Sequence, residues 1–175
     1  MTAPAQNARL STPDSRLTTH DPRFIEVVQV ATPMDRLAAL EIRRRVFAQE
    51  QHAADLRVAD ADDERSIIAL ASLHDDEIGN HKRPVATGRL TPPLVAREPA
   101  LVAWVATVPE ARGLGAGAAV MRFLLDAADS AGAREVALAA QLPAEAFYRR
   151  LGFTPAGPLY DVRGIPHRRM VRRQQ

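Results

Sequence analysis

The sequence predicts a mixed α/β fold with a mostly antiparallel sheet, and three observations carry that prediction. Short β-branched or apolar runs recur along the chain, most of them separated by turn residues rather than by helices. One apolar run, residues 101–108, passes through a glycine-rich turn into a helical segment and then a further short apolar run, the pattern of a βαβ unit. Other segments show the three-and-four spacing of apolar positions that marks amphipathic helices. At 175 residues the chain suits one domain, expected over residues 23–175. Residues 1–22, rich in Thr, Ala, Ser and Pro, are expected to form a flexible tail.

The elements follow in order. Residues 24–31 (FIEVVQVA) alternate and predict the first strand. Thr32 and Pro33 supply an N-cap and a first helical position. Leu37, Ala38, Ile42 and Val46 then mark the inner face of a helix that runs to Glu50 or Gln51. Residues 52–65 predict mainly a loop, acidic from Asp60 to Glu64, that either draws in a cationic molecule or is simply solvated. Residues 66–73 and 84–90 predict a hairpin around the turn-forming stretch 74–83. Residues 101–108 (LVAWVATV) read as a strand buried on both faces. The helix after the glycine-rich turn spans 116–130, with Val120, Met121, Leu124, Leu125 and Ala128 inward and Gly132 at its end. A short strand at 135–140, a helix at 143–151 and a terminal strand pair at 159–163 and 167–172 complete the chain.

Composition narrows the function. A net charge of +2 and few aromatic residues disfavour a nucleic-acid binder, which concentrates basic charge on one face. The absence of cysteine excludes disulfides, thiolate zinc sites and a cysteine nucleophile. No metal is expected, and no apolar run approaches the length of a membrane span. With no signal peptide, the expected location is the cytoplasm.

Arg112–Gly117 (RGLGAG) is the strongest chemical signal. Glycines admit close backbone approach, and the helix that follows presents unpaired N–H groups and a positive dipole end to an anion such as pyrophosphate. A Walker-type site would need Gly-Lys-Ser/Thr, which is missing. A dinucleotide fingerprint fits Gly113, Gly115 and Ala118, but it belongs in a first βα unit with an acid closing the next strand, and here that strand closes in Ala-Ala-Gln. An acyl-CoA turn, Arg/Gln-x-x-Gly-x-Gly/Ala, fits Arg112, Gly115 and Gly117, and a turn that only packs a helix on a strand is the remaining alternative.

A second block stands thirty residues on. Ala146-Phe147-Tyr148-Arg149-Arg150-Leu151-Gly152-Phe153, taken with VPEARGLGAG, resembles the GNAT acyltransferase superfamily over most of the chain beyond the tail. Ile42-Arg43-x-x-Val46-Phe47-x-x-Glu50-Gln51 and the closing Gly164-Ile165-Pro166-His167-x-x-Met170 are similar to ElaA-like members. Trp104 stands where those members carry Arg, and Ala53-Ala54-Asp55 replaces their usual loop.

The resemblance implies the acyl-CoA N-acyltransferase fold, with helices on both faces of a sheet that splays after the strand preceding the glycine-rich turn. It also implies transfer of an acetyl or other acyl group from coenzyme A to a primary amine by direct attack, the acceptor being a small molecule or a peptide. On the same basis Arg112, Gly113, Leu114, Gly115, Ala116 and Gly117 hold the pyrophosphate of acetyl-CoA, while Val105, Thr107, Gln141 and Tyr148 line its pantetheine arm. The Val105 backbone N–H is implied as oxyanion donor and Tyr148 as general acid. The strand before the turn has no titratable side chain, so the base is either water relayed to bulk solvent or one of the candidates Glu50, Asp161 and His167. The alternative is a GNAT-like acyl-CoA sensor without turnover. Arg168, Arg169, Arg172 and Arg173 either steer anionic CoA or are solvated strand charges, and the terminal strand edges could pair in a homodimer.

Overall fold

The computed structural model describes residues 23–53, 55–75, 81–95 and 97–173. The expected flexible tail and the Gly79-Asn80 turn lie outside the described residues. Seven strands form one sheet in the order β1-β2-β3-β4-β5-β7-β6. They are β1 (Arg23–Gln29), β2 (Ile67–Asp75), β3 (His81–Thr91), β4 (Ala100–Thr107), β5 (Glu135–Gln141), β6 (Thr154–Val162) and β7 (Ile165–Arg173). Every neighbouring pair is antiparallel except β4 and β5, which are parallel because the helix α2 (Ala116–Ser130) crosses between them. The remaining helices are α1 (Pro33–Arg43) and α3 (Glu145–Arg149).

Helices cover both faces of the sheet, and two consecutive residues of β3 show it. Gly88 faces α2, where a Cβ would stand 2.8 Å from Val120 Cγ1, so only glycine lets the helix approach this closely. Arg89 points to the other face, toward Asp63 and Arg43 of α1. The inward stripe of α2 is the expected one, with Val120, Met121, Leu124, Leu125 and Ala128 all buried.

α1 turns Ile42 inward as expected, with Val46 buried just beyond it and Ala38 packed on the core, but departs from expectation at Leu37 and Arg43. Thr32 caps it as expected, accepting from the Asp35 N–H in a reciprocal capping box. Its buried face, however, is Ala39, Ile42 and Arg43, while Leu37 is exposed. The apolar pattern misses this because the innermost side chain is an arginine. Beyond Arg43 the helix widens into a π-helical segment, Arg44–Glu50, closed by a five-residue bond from the Ala53 N–H to the Ala48 carbonyl.

The acidic stretch is neither a free patch nor merely solvated. It forms a short 3₁₀ turn, Ala61–Arg65, that carries Asp63 into the interior. Arg43 (0% exposed) donates through Nη1 to both Asp63 oxygens at 3.0 and 2.9 Å and to the Val58 carbonyl at 3.0 Å. Arg89 donates to Asp63 at 3.1 Å and pairs with Asp60. Asp60 Oδ2 accepts from the Trp104 indole N–H at 2.9 Å, and Arg43 Cζ lies 5.3 Å from the Trp104 ring. Burial pushes the Arg43 guanidinium down from its usual pKa, and the Asp63 carboxylate pushes it back up.

The arginines at the C-terminal end are also committed. Arg168 pairs with Glu145 of α3, Arg172 with Asp129 of α2, and Arg169 and Arg173 with Glu135 of β5. They clip β7 to its surroundings. β6 begins at Thr154, five residues before the expected strand, because its early part pairs with Val171 and Met170 of β7 ahead of an irregular Gly157-Pro158 stretch.

Asp63 neutralises two buried guanidiniums, so its removal leaves uncompensated charge inside the fold. Asp63→Ala is expected to lower stability by about 3–5 kcal/mol, read as a shift of the urea midpoint, whereas Glu64→Ala should move it by less than about 1 kcal/mol.

Candidate active site

The site begins where the sheet opens. β4 and β5 pair at only three positions, from Ala100 with Val136 to Val102 with Leu138, and part beyond them. On the other side of β4, two residues, Trp104 and Val105, oppose the single Gly88 of β3, a β-bulge. Trp104 adopts a φ of +56°, a left-handed conformation unfavourable for a large side chain. Its indole is held there by Asp60, by the edge of Phe47 at 5.3 Å and by the Arg43 guanidinium. The parted strands leave a cleft of about 990 Å³. The expectation that β4 is buried on both faces is therefore corrected: Ala103, Trp104 and Val105 are half-buried cleft residues because the parallel partner withdraws beyond Val102, and Leu101 is exposed although it pairs with Ala137.

One end of the cleft has the geometry to accept an anion. Gly113 and Gly115 have φ values of +80° and +89° with nothing within 4 Å of a Cβ, so conformation rather than crowding requires glycine there. Gly115 is the N-cap of α2 and offers no side-chain cap, which leaves the first-turn N–H groups to a ligand. Gly117 is tightly packed, since a Cβ would meet Thr107 Oγ1 at 3.0 Å. Arg112, Gly113, Gly115, Ala116 and Gly117 all line the cleft. Leu114 does not, because its N–H turns to the Ala111 carbonyl at 3.4 Å and its side chain is exposed.

Arg112 is already engaged by one of the candidate bases. It donates to Glu50 through two bonds of 2.9 and 2.6 Å and to the Thr107 carbonyl at 3.2 Å. Glu50 is the last residue of the π-helical segment, which this pair ties to the start of the glycine-rich turn. The guanidinium holds the Glu50 carboxyl below its usual range, which weakens it as a base.

The other end holds the remaining chemistry. Tyr148 is 8% exposed and lines the cleft between Phe147 and Phe153 rings, and burial pushes its phenol up to about 12. Val105 has no register partner on β3 or β5, as a backbone donor to a ligand requires. Gln141 lines the cleft and exchanges amide bonds of 3.3 and 3.2 Å with Gln51. His167 sits beside Gln141 in the register of β5 and β7. Its Nδ1 lies 2.8 Å from the Ile165 carbonyl and donates to it, so in the neutral ring the lone pair is on Nε2.

Asp161 is not among the cleft residues. Its Oδ1 accepts from the Gly164 N–H at 2.8 Å and shapes the β6–β7 turn, a sharper use for a carboxylate two residues before a Gly-Ile-Pro stretch. Arg122, Arg150 and Trp104 are cleft residues that the motifs alone did not single out. Arg122 had a signal, since it lies one helical turn beyond Ala118 and opposite the apolar stripe of α2.

Comparison with known proteins converges on one family. The acetyltransferase (GNAT) family model matches residues 34–153. The chain is 27% identical over 143 residues to the uncharacterized protein YyaT of Bacillus subtilis (strain 168), which spans 82% of this chain and 92% of that one. Escherichia coli ElaA has a TM-score of 0.73 at 25% identity, over 85% of this chain and 99% of its own. An acyl-CoA N-acyltransferase from Pseudomonas aeruginosa has a TM-score of 0.69 at 26% identity, over 86% and 99%.

Because Glu50 and an anionic ligand compete for one guanidinium, the two substitutions should act in opposite directions. Arg112→Gln is expected to weaken acetyl-CoA binding about tenfold by calorimetry, and Glu50→Gln to strengthen it severalfold.

Proposed function

The chain belongs to the GNAT acetyltransferase family, and on that premise we propose that it transfers an acetyl group from acetyl-CoA to a primary amine by direct attack. The observation that carries the proposal is a single cleft with a glycine-capped, uncapped-by-side-chain helix terminus at one end and Tyr148 with His167 at the other. A thioester donor needs both: a seat for its phosphates and a proton donor at its sulfur.

The backbone of the glycine-rich turn and the first turn of α2 bind the pyrophosphate, with Arg122 and, once it leaves Glu50, Arg112 adding positive charge. The Val105 N–H points the thioester carbonyl and stabilises the oxyanion, a role typically worth about 3–4 kcal/mol. His167 Nε2, directly or through water, takes the proton that the amine loses as its nitrogen bonds to the acyl carbon. Tyr148 supplies a proton as the carbon–sulfur bond breaks, so one proton leaves the amine and one reaches the thiol.

The Tyr148 phenol is a weaker acid than a free thiol, whose pKa is about 8.5. It therefore acts first as a hydrogen-bond donor to the sulfur while charge develops, and the apolar cleft that raises the phenol also makes the thiolate more basic. Of the three candidate bases, His167 is favoured because Glu50 is paired with Arg112 and Asp161 serves the turn.

Tyr148→Phe is expected to lower kcat at least about tenfold, and His167→Ala by a similar factor, with the acetyl-CoA Kd of both variants within about twofold of wild type. Unchanged turnover in the phenylalanine variant would remove the acid role. The phenol must stay protonated to act, and a raised value keeps it so. The alkaline side of the kcat profile should accordingly stay flat to about pH 10, which stopped-flow thiol release can test.

A further inference from the structure

A second cavity of about 510 Å³ adjoins the cleft and shares with it Phe47, Gln51, Trp104, Gln141 and His167. Its remaining apolar wall is formed by Leu56, Val162 and Ile165. Among the described residues its lining contains no carboxylate. Arg163, at its edge, is paired at 2.5 Å with the exposed Asp55.

The neighbouring acids are spent as well. Asp60 and Asp63 are bound by Arg43, Arg89 and Trp104, and Glu50 is bound by Arg112. A molecule with several ammonium groups would find no opposing charge here and would lose hydration for each one it buried. An apolar site without a carboxylate also disfavours an ammonium over its neutral amine, which is the nucleophilic form. The polar groups that remain, the Gln51 and Gln141 amides and the imidazoles of His52 and His167, can orient one nitrogen without a salt bridge.

Two rings fix the shape of what fits. Phe47 and Trp104 meet edge to face at 77°, and the indole cannot turn freely because its N–H is held by Asp60. This is a preformed surface for a flat apolar group. We propose that the acceptor is a primary amine on a flat, apolar body of one or two rings, its rings against Phe47 and Trp104 and its nitrogen between the paired glutamines and His167. The inference rests on the acyltransferase reading above and names the acceptor class for that site.

The test compares kcat/KM at saturating acetyl-CoA for phenethylamine and tryptamine with that for spermidine, lysine and glucosamine, by thiol release. The aromatic amines are expected to lead by at least about tenfold. Val162→Asp, on an exposed edge-strand position, should cut tryptamine kcat/KM by about tenfold while the acetyl-CoA Kd stays at the wild-type value, which also reports that the variant is folded. A lead for any of the cationic acceptors, or an aromatic preference below tenfold, overturns the acceptor class and leaves acyl transfer standing. Acetyl-CoA binding without turnover of any of the five amines overturns both and favours a sensor.

Discussion

Asp63 is one carboxylate between two guanidiniums, and the geometry of the active cleft depends on that arrangement. Arg43 comes from α1, Arg89 from the middle strands of the sheet, and Asp63 from the 3₁₀ turn between them. In a medium of low polarity none of the three charges is tolerable alone, so the elements that carry them are locked in relative position. Asp60 extends the network by one residue and holds the Trp104 indole, whose backbone is left-handed. The conformational cost of Trp104 is of order 1–2 kcal/mol, less than what the indole–carboxylate bond and the flanking aromatic and cationic contacts can offset.

From that anchored bulge the functional geometry follows. The extra residue in β4 bends the strand away from β5, the parallel pairing stops after three residues, and a cleft opens through what would otherwise be continuous sheet. Opening the sheet exposes backbone groups that lack strand partners, and these are the groups that can meet a thioester. Gly88 complements the bulge from the opposite strand by letting α2 settle against the sheet, which places the helix terminus at the mouth of the cleft. Arg168, Arg172 and Arg173 are matched to carboxylates, while the start of α2 keeps its first-turn N–H groups without a side-chain cap, at the positive end of the helix dipole.

The βαβ unit and its turn were legible in the sequence because their physics is local. Glycines able to take positive φ and an inward stripe at helical spacing each speak for themselves and lie where expected, whereas the apolar run of β4 forms its strand but is half-buried where it lines the cleft. Tyr148, Val105, Thr107 and Gln141 also reach the cleft, though they were assigned through the resemblance rather than from local pattern. The errors fall where the interior is polar. On the inner face of α1 Ile42 is buried as expected, with Val46 just beyond it, but Arg43 fills a position that apolar periodicity leaves to a hydrocarbon, and the burial of Asp63 is not legible because its two arginine partners lie 20 and 26 residues away.

What the sequence alone determined is the class of fold, the glycine-rich turn ahead of a helix and the family resemblance with the candidate proton donor it implies, since each is written in contiguous residues. Which acids and bases are available was decided only by tertiary structure. Glu50 is taken up by Arg112, Asp161 by the turn it shapes, and His167 is given a free Nε2 by a carbonyl two residues away. A side chain's availability depends on the partner that reaches it first, and these partners are set by how separate elements pack. For Glu50 and Arg112 that distance along the chain is 62 residues, a contact that no local pattern encodes.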